Sequence, residues 1–409
     1  MLDHATSAII HKYTERWRGA RRIVMNRKVR LGVIGLGPRG VYIAQLYARH
    51  PDCEIVALCD RVGPTVEQAA VALKSSANRY TDFERMIREE KPDAVLIASP
   101  PDEQVDIACY AMEQGVHVTT EVPAAYTMEQ CWKLVRTVEK TGAKYQLSEQ
   151  TRYWGFIDEW RRMAERGDFG QILFAEGEYF HYGEWDYYID PQTGERFYGN
   201  ALPPEGREVE ATWRNKRFYN PIYYLPHTLS PLLKITGGRV TKVSCMGTRP
   251  RSYYVDNYEA RDIEVALMHT STDTVLRVAA GFTSPHGPRK ETGFHWYQVK
   301  GTEQTAEWAR TENDSPRLWT AADRQWREMD WSTNVRDVSD FIKASGHGSS
   351  DGWPVVNFLR AIREDKPIDM DVYKAVETAA PAILAAESSN RGGILLEVPD
   401  FRKKVPDHE

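Results

Sequence analysis

The chain has 409 residues, of which 42% are hydrophobic and 27% are charged, and its formal net charge is -5. One hydrophobic core rarely serves so long a chain, so we expect two domains. Acidic and basic residues are interspersed, without the one-sided basic field that nucleic acids or anionic membranes require. We therefore expect a small-molecule partner, with no nucleic acid and no membrane.

Cysteine usage and the N-terminal stretch indicate the compartment. The five cysteines include no Cys-x-x-Cys pair, and their odd number suggests neither a disulfide framework nor a zinc site. Arg21-Arg22 is reminiscent of a twin-arginine signal, but the charged run through Arg30 leaves no apolar region of adequate length behind it. We expect a cytoplasmic protein without a metal.

The order of apolar segments predicts the domain organisation. Residues 1–24 have only a weak helical pattern, which indicates an arm that either contacts another subunit or is dispensable. In residues 25–150, short apolar strands alternate with helical stretches, which is typical of the doubly wound parallel sheet of a Rossmann domain. The predicted strands are 29–34, 55–59, 94–98, 116–120 and 145–147.

The first predicted strand leads directly into a glycine turn that matches the dinucleotide-binding pattern G-x-G-x-x-G, and a helical stretch follows. The first glycine permits the tight turn, the second lets the backbone approach a pyrophosphate, and the third lets the helix pack on the strand. The positive end of the helix attracts the phosphates. We expect cofactor contacts from Gly35, Leu36, Gly37, Pro38, Arg39 and Gly40.

Asp60 ends the second strand, about twenty residues after the glycine turn, where an acid that binds the adenosine ribose is expected. Its carboxylate would accept hydrogen bonds from both ribose hydroxyls and repel a 2'-phosphate, which favours NAD over NADP. Arg61 follows directly and moderates this preference. The alternative is that Asp60 is a solvated carboxylate at a strand end.

After residue 150 the pattern changes. We interpret residues 151–409 as an α+β substrate and oligomerisation domain with a large, mostly antiparallel sheet. Its C-terminal helices, within 353–390, are expected to pack back against the Rossmann domain. The predicted elements that carry this interpretation are a helix at 155–166 and strands at 171–182, 240–247, 262–270 and 274–282.

These motifs resemble the Gfo/Idh/MocA family of glucose-fructose oxidoreductase and inositol dehydrogenase. The likeness includes the glycine turn, Ser99-Pro100-Pro101 at one strand end and a Glu-x-Pro that begins at Glu121. The resemblance implies a Rossmann domain followed by an open-faced sheet domain, with hydride transfer between a nicotinamide and a sugar or cyclitol carbon. It adds Ser99, Pro100 and Glu121 to the expected cofactor site.

Two positions depart from the dehydrogenases of that family. The dehydrogenases carry Glu-Lys-Pro, with the lysine near the reacting hydroxyl, whereas this chain has Val122, which can neither donate nor accept a proton. They also place an aspartate four residues before the catalytic histidine, whereas this chain has Tyr223 there and keeps His227. The proton-handling groups of a dehydrogenase are therefore altered.

The altered residues are similar to another branch of the family, the NAD-dependent glycosidases typified by bacterial alpha-N-acetylgalactosaminidase. The likeness covers Glu-Val-Pro-Ala at 121–124, Tyr-x-x-His from Tyr224 to His227, the strand-end Glu149 and the sheet tyrosine Tyr179. The resemblance implies a catalytic site formed by Tyr224, His227, Glu149 and Tyr179. Whether Glu149 contacts the nicotinamide ribose, the substrate or solvent stays open.

Structural roles are the alternatives for the same residues. His227 could be a buried, hydrogen-bonded histidine, but an imidazole that titrates near neutral pH suits acid–base work at the position of the family's histidine. Tyr224 and Tyr179 could be plain core aromatics. Three further residues near the same region are interpreted as structural: His181, His295 and Tyr297.

Aromatic residues are dense in the middle of the chain, as a pocket for the apolar faces and hydroxyls of a sugar requires. We expect about half of them to line such a pocket and the rest to pack in a core. They are Tyr153, Trp154, Trp160, Tyr179, Tyr182, Trp185, Tyr187, Tyr188, Trp213, Tyr219 and Tyr223. The insertion at 185–207 has no counterpart that we can place in the family.

The leading hypothesis is a glycoside hydrolysis without net redox change. A ring hydroxyl is oxidised at C3 with bound NAD, the ketone acidifies the C2 hydrogen, the aglycone leaves, water adds, and the hydride returns. His227 and Tyr224 would manage the hydroxyl and C2 protons, and Tyr179 would assist the leaving group or the water. The sugar, the anomer and the aglycone stay open.

Two rival functions remain. An NAD-dependent sugar or cyclitol dehydrogenase would release NADH and a keto-sugar, and Val122 argues against it. A non-catalytic regulator that senses NAD or a sugar is the second rival, against which the retained His227 and Tyr224 argue. Whichever function is correct, we expect a homo-oligomer, because the exposed sheets of proteins in this family commonly pair.

Overall fold

The computed structural model describes residues 27–182, 185–199, 205–217, 220–255, 258–284, 287–335 and 338–403. The arm expected in residues 1–24 and Tyr219 therefore lie outside the described residues. The N-terminal strands are β1 Val29–Ile34, β2 Cys53–Cys59, β3 Asn78–Tyr80, β4 Ala94–Ile97, β5 His117–Thr120 and β6 Tyr145–Leu147. They form one parallel sheet in the order β3-β2-β1-β4-β5-β6.

Alternate residues of these strands face opposite sides of the sheet, and both sides are buried. Leu31 of β1 and Leu96 of β4 belong to one core cluster, whereas Val95 and Ile97 of β4 belong to the other. Strands that are apolar on both faces require helices on both faces, as parallel sheets usually have. The helices are α1 Pro38–Arg49, α2 Gly63–Ala72, α3 Phe83–Glu90, α4 Pro101–Glu113 and α5 Met128–Thr141.

The C-terminal half contains most of the remaining strands in a second, larger sheet. The strands of this half are β7 Ile172–Phe180, β8 Asp186–Ile189, β9 Arg196–Tyr198, β10 Glu210–Ala211, β11 Val240–Gly247, β12 Ile263–Thr270, β13 Val275–Gly281, β14 His295–Gly301, β15 Gln304–Glu307, β16 Arg317–Thr320, β17 Trp326–Glu328 and β18 Leu396–Glu397. Nine of them pair in the order β17-β16-β15-β14-β7-β13-β12-β11-β18, and β10-β8-β9 form a separate small sheet.

The large sheet is mostly antiparallel, because β7 and β13 are its parallel pair and the other neighbours run in opposite directions. A parallel Rossmann sheet followed by a mostly antiparallel sheet confirms the predicted fold class. The helices of this half are α6 Gly155–Arg166, α7 Trp213–Arg217, α8 Pro226–Thr236, α9 Asp340–Lys343, α10 Gly352–Arg363 and α11 Val372–Asn390.

The two faces of the large sheet differ. Gly177 of β7 packs against Thr228 of α8 so closely that a Cβ on the glycine would overlap the threonine side chain. Tyr179 shares this helix-covered face, because residues two apart on a strand point the same way. On the opposite face Val265 and Leu267 of β12 are 38% and 54% exposed. The helix-covered face therefore carries the predicted site tyrosine, and the other face is open.

The C-terminal helices contact the Rossmann part of the chain. Helix α10 packs on α1 and β1, and α11 packs on α5 as well as on β11 of the large sheet. Both helices therefore tie the two halves together. Among the described helices, none combines the length and the apolar character that crossing a bilayer needs.

Candidate active site

A cleft of about 1000 Å³ lies between the carboxyl edge of the parallel sheet and the second domain. Gly35, Ser99 and Glu121 line it from the Rossmann side, and each of them follows a strand of that sheet. Tyr179 and His227 line it from the other side. Doubly wound folds bind ligands at this edge. The structure thus brings predicted cofactor and catalytic residues to one cleft.

The glycine turn has the geometry that a dinucleotide needs. Gly35 has a φ of +87°, and a Cβ there would lie 2.5 Å from the carbonyl carbon of Ala98. A Cβ on Gly40 would overlap the carbonyl oxygen of Gly35. Gly37 instead faces the cleft, where its Cβ would meet the guanidinium of Arg196 at 3.4 Å. The backbone at Gly37 can therefore approach a pyrophosphate at the start of α1.

Asp60 stabilises the glycine turn as well as lining the cleft. Its carboxylate accepts hydrogen bonds from the backbone N–H of Leu36 at 2.8 Å and of Val62 at 2.9 Å. A carboxylate has further lone pairs, so these bonds leave acceptors for ribose hydroxyls. Arg61 pairs with Glu210 of the second domain at 2.8 Å. The charge of Arg61 is therefore paired with Glu210 rather than with Asp60.

Three oxygens in the cleft are buried and have no hydrogen-bond partner among the described residues. They are Ser99 Oγ, Glu121 Oε1 and Gln150 Oε1, and Pro100 lies beside the first of them. Buried polar atoms are normally paired, so these oxygens are suited to a polar ligand that enters the cleft. Together with the glycine turn and Asp60 they fit a bound NAD.

Arg39 of the glycine turn connects the cofactor residues to the C-terminal part of the chain. Its Nε lies 3.2 Å from Oε2 of Glu121, and its Nη2 lies 3.0 Å from Oδ1 of Asp351. Burial opposes the charge of Arg39, but the two carboxylates outweigh burial and raise its pKa. Burial likewise opposes the charge of Asp351, but Arg39 and His347 hold the pKa of that carboxyl well below its usual range. The network keeps Glu121 fixed at the cleft.

His227 lies in the first turn of α8, which begins at Pro226, a residue suited to the first helical position. Its Nδ1 lies 2.8 Å from Oε2 of Glu149, which follows β6 and is fully buried. Burial opposes the charge of Glu149, but the charge of His227 and the hydrogen bonds of Thr151 outweigh burial and lower its pKa. A carboxylate beside Nδ1 leaves Nε2 as the ring nitrogen for the cleft.

The surroundings fix both members of this pair. The Thr151 hydroxyl lies 2.5 Å from Oε1 of Glu149 and 2.7 Å from the carbonyl oxygen of His227. The Tyr297 hydroxyl donates to the same carbonyl at 2.7 Å. Glu149 is fully buried behind His227. Its carboxylate therefore does not contact solvent, which was one of the three contacts that the sequence leaves open. Tyr297 has the structural role that the sequence suggests.

Tyr179 and Tyr224 flank His227, with ring centroids 5.6 and 6.1 Å from the imidazole. Tyr179 stacks on His295, with centroids 4.3 Å apart and planes within 6°. Burial raises the pKa of Tyr179, so its hydroxyl stays protonated at neutral pH and can donate a hydrogen bond. Two phenols and an imidazole therefore meet in the cleft beside the dinucleotide-binding edge.

Arg214 on α7 also lines the cleft, although the sequence analysis does not single it out. Its guanidinium carbon lies 3.8 Å from the ring centroid of Trp185, 4.7 Å from that of Trp213 and 5.7 Å from that of Tyr224. Such contacts are cation–π interactions. Guanidinium donors are thereby placed beside a predicted catalytic tyrosine. The available sequence signal is that Trp213-Arg214 falls in the aromatic-rich stretch.

Two histidines complete the cleft lining. His181 follows β7, and burial, with the charge of Arg214, lowers its pKa to about 4. His347 reaches the cleft from a turn in which His347, Gly348 and Ser349 have φ values of 48°, 59° and 64°. The sequence carries no signal for the role of His347, because Asp351, which pairs with His347 at 2.8 Å, is itself held by the distant Arg39 at 3.0 Å.

The positions that depart from the dehydrogenases lie in different places. Val122 lines the cleft, so an apolar side chain stands where a dehydrogenase has its lysine. Tyr223 stacks on Tyr126, with centroids 4.5 Å apart.

Fewer of the predicted aromatics line the cleft than expected, because several, such as Trp154 and Trp160, are buried in the core. The predicted aromatics that line it are Tyr179, Trp185 and Trp213.

Two family models match adjacent parts of the chain. Residues 29–149 match an oxidoreductase family with an NAD-binding Rossmann fold. Residues 160–405, more than half of the 409 residues, match the C-terminal domain of glycosyl hydrolase 109. The first match confirms the predicted NAD cofactor, and the second confirms the predicted resemblance to NAD-dependent glycosidases.

Curated relatives match along most of the chain. Glycosyl hydrolase family 109 protein 2 of Phocaeicola vulgatus is 26% identical over 412 residues, which cover 92% of this chain and 95% of the relative. Alpha-N-acetylgalactosaminidase of Tannerella forsythia is 29% identical over 418 residues, which cover 92% of this chain and 86% of the relative. The similarity therefore includes both halves of the molecule.

Solved structures share the fold. An NAD binding oxidoreductase from Klebsiella pneumoniae superimposes with a TM-score of 0.71 at 18% identity, covering 91% of this chain and 99% of that chain. The WlbA dehydrogenase of Bordetella pertussis, solved with NADH and UDP-GlcNAcA, superimposes with a TM-score of 0.67 at 17% identity, with coverage of 91% and 99%. At this identity the likeness establishes the architecture alone.

Proposed function

Because the chain belongs to the glycosyl hydrolase 109 family, we propose that it is an NAD-dependent glycoside hydrolase that works by transient oxidation at C3, elimination of the aglycone, addition of water and re-reduction. The cluster of His227, Tyr224 and Tyr179 at the dinucleotide-binding edge supports this most directly. The cluster places proton-carrying groups beside the cofactor site. Val122 occupies the position at which the dehydrogenases carry their acid–base lysine.

The residues that would hold NAD are those of the cleft. The glycine turn would bind the pyrophosphate and Asp60 the adenosine ribose, while Ser99 and Glu121 would offer their unpaired oxygens. When bound, NAD supplies a hydride acceptor that is regenerated within each turnover. The paired carboxylates of ordinary glycosidases are then not needed.

The protein side chains would manage the protons. Two protons must be moved, that of the C3 hydroxyl and that of C2. We assign both to one pair of groups, Nε2 of His227 and the hydroxyl of Tyr224. Glu149 would stabilise the imidazole ring when it carries a positive charge, because its carboxylate lies 2.8 Å from Nδ1. The protonated hydroxyl of Tyr179 would donate to the leaving oxygen. Such groups each typically contribute about a hundredfold to ten-thousandfold.

Arg214 and Trp185 would provide much of the substrate recognition. An aromatic face suits the apolar side of a sugar ring, and the guanidinium held against it, 3.8 Å from the ring centroid, can donate to hydroxyl or amide oxygens. The Tannerella forsythia relative is an alpha-N-acetylgalactosaminidase. An aryl alpha-N-acetylgalactosaminide is therefore the first substrate to test, followed by aryl glycosides of other sugars and both anomers.

The test follows aglycone release, NADH absorbance and the C2 hydrogen at once. The enzyme is incubated with an aryl glycoside and NAD in deuterated water. The proposed reaction should release aglycone, place deuterium at C2 and accumulate no stoichiometric NADH, because the hydride is returned. A dehydrogenase would instead give a keto-sugar with an equal amount of NADH. Release of aglycone without deuterium at C2 would rule out the elimination.

Two variants connect this reaction to the cluster. His227→Ala and Tyr224→Phe should each lower turnover by about a hundredfold or more while NAD binding is kept, because they act on protons rather than on the cofactor. Tyr110→Phe is the matched control, since the Tyr110 hydroxyl bonds with Arg88 on the surface of the Rossmann part. Turnover at the wild-type level in either cluster variant would remove that residue from the mechanism.

A homo-oligomer is also part of the proposal. The open face of the large sheet presents Val265, Leu267 and Val275, all of them large apolar side chains with exposures between 38% and 54%. Apolar faces of this kind mark interaction sites. Leu267→Arg should therefore give a smaller species by light scattering, whereas Val71→Arg on α2 should not. A wild-type monomer would contradict the pairing.

We further propose a cytoplasmic location. All five cysteines are buried and free, as expected where thiols are kept reduced. Fractionation of the native host should recover the protein with cytoplasmic markers. Recovery in a periplasmic or culture fraction would contradict this location.

A further inference from the structure

Two strands of the 185–207 insertion, β8 and β9, form a small sheet together with β10, which follows the insertion. Strands β8, β9 and β10 pair antiparallel, with Ile189 opposite Arg196 and Tyr188 opposite Phe197. Inside the insertion, Arg207 forms ion pairs with Asp190 and Glu195, both at 2.7 Å. The described residues of this region therefore form a module with its own internal contacts.

This module docks on the Rossmann part at two places. Arg61, next to the predicted ribose acid, pairs with Glu210 of β10 at 2.8 Å. Gln68 of α2 donates to the carbonyl oxygen of Thr193 at 2.8 Å. Both contacts lie on the side of the cleft where the adenosine half of a dinucleotide is expected. These contacts place the module over the cofactor part of the cleft.

Arg196 of β9 projects from this module toward the glycine turn. Its Nη2 lies 3.4 Å from the position that a Cβ on Gly37 would take, and Arg196 lines the cleft together with Ile189 and Tyr198 of the module. Gly37 is the residue at which the backbone approaches the pyrophosphate. A guanidinium binds phosphate oxygens with paired, charge-assisted hydrogen bonds.

We propose that the β8–β10 module is a clamp on NAD, with Arg196 as the residue that binds the pyrophosphate beside the glycine turn. The pyrophosphate would then be held by both the start of α1 and the adjacent guanidinium of Arg196. The proposal concerns retention of NAD, so it rests on the cofactor and not on the glycosidase chemistry.

Retention has a specific value in the proposed function. A dehydrogenase must exchange its cofactor in every turnover, whereas a reaction that returns the hydride can keep the same NAD molecule. A cation that binds the pyrophosphate slows dissociation without taking part in proton transfer. The clamp and the proposed hydrolysis can fail separately, because NAD dissociation is measured without any sugar present.

The experiment measures NAD dissociation from the full-length protein. Protein loaded with radiolabelled NAD is mixed with excess unlabelled NAD, and the bound label is followed over time. Arg196→Ala should accelerate dissociation about tenfold to hundredfold, as expected for loss of charged hydrogen bonds, and Arg196→Lys should lie between it and the wild type. Arg327→Ala is the matched control, since Arg327 pairs with Asp323 near β17.

A second measurement separates phosphate binding from support of the fold. Affinities for ADP-ribose and for adenosine are compared in the wild type and in Arg196→Ala. The proposal expects a loss for ADP-ribose and none for adenosine, because adenosine has no pyrophosphate. An equal loss for both ligands, or dissociation of NAD from Arg196→Ala at the wild-type rate, would overturn the clamp.

Discussion

Nδ1 of His227 and Oε2 of Glu149 lie 2.8 Å apart, and the carboxylate is fully buried. The pair joins the end of the last Rossmann strand, β6, to the first turn of α8 in the second domain. It thereby fixes the imidazole relative to the sheet that binds the cofactor. A carboxylate in this position also stabilises a positive charge on the ring.

Replacement of Glu149 by glutamine should lower kcat while leaving NAD binding nearly unchanged. The amide keeps the size of the side chain but cannot balance a protonated imidazole, so we expect kcat to fall about a hundredfold. Steady-state kinetics and titration with NAD measure both effects.

Glu176→Gln is the control for this substitution. Glu176 is another buried carboxylate with a charged partner, since Arg277 lies 2.6 Å away on the open face of the large sheet. Its replacement should leave kcat and NAD binding as they are in the wild type. If Glu149→Gln behaves like this control, the Glu149 carboxylate neither positions the His227 ring nor stabilises a positive charge on it.

Alanine at Gly37 and at Gly40 should have opposite effects on the fold and on NAD. A Cβ at Gly40 would overlap the Gly35 carbonyl, so Gly40→Ala should destabilise the apo-protein by more than the ~1–3 kcal/mol of ordinary overpacking. A Cβ at Gly37 meets a flexible guanidinium at 3.4 Å, so Gly37→Ala should keep the apo melting temperature and lose the NAD-induced rise.

Thermal melts with and without NAD distinguish the two glycines. At a hundredfold excess over its dissociation constant, NAD should stabilise the wild type by about 2.7 kcal/mol. A Gly37→Ala variant with a full NAD shift would mean that the pyrophosphate lies elsewhere. A Gly40→Ala variant as stable as the wild type would mean that α1 can move away from β1.

Asp60→Ala should lose both cofactor preference and stability. The carboxylate accepts the N–H groups of Leu36 and Val62, and each lost bond costs about 0.5–1.5 kcal/mol. The preference for NAD over NADP should fall, because the 2'-phosphate no longer meets a negative charge. Asp60→Asn removes the charge but keeps an acceptor, so it should lose preference with less loss of stability. Unchanged preference in both variants would contradict the ribose assignment.

The sequence predicts those parts of the molecule that depend on local pattern. Leu31 and Val95 lie in apolar strands whose alternation with helices dictates a parallel sheet, and Gly35 and Gly40 are required by backbone geometry within a few residues. The residue types of the catalytic cluster follow from the family resemblance. These features need no knowledge of how distant segments meet.

The remaining features depend on contacts between distant segments. The closeness of Glu149 to His227 is set by how α8 docks under the large sheet, and the place of Arg214 is set by two tryptophan rings. His347 enters the cleft because Asp351 and Arg39 hold its turn. No local period or spacing records such contacts, so the sequence leaves the role of Glu149 open and omits the other two residues.

The last prediction concerns stability in acid. Burial, with the charge of Arg214, lowers the pKa of His181 to about 4, below the value of about 6.5 in an unfolded chain. As pH falls below about 6.5, the unfolded chain therefore binds a proton at this residue that the folded chain does not bind until about pH 4. His181 thus reduces the free energy of unfolding across that range, and the partial exposure of its side chain limits the effect.

His181→Gln should remove this proton linkage. The free energy of unfolding of the variant should fall less steeply than that of the wild type as pH is lowered from about 6.5 to about 4. Urea unfolding at several pH values in this window measures the two slopes. His295, whose pKa burial also lowers, is present in both proteins, so the difference between the slopes belongs to His181. Parallel slopes would mean that His181 titrates alike in the folded and unfolded chain.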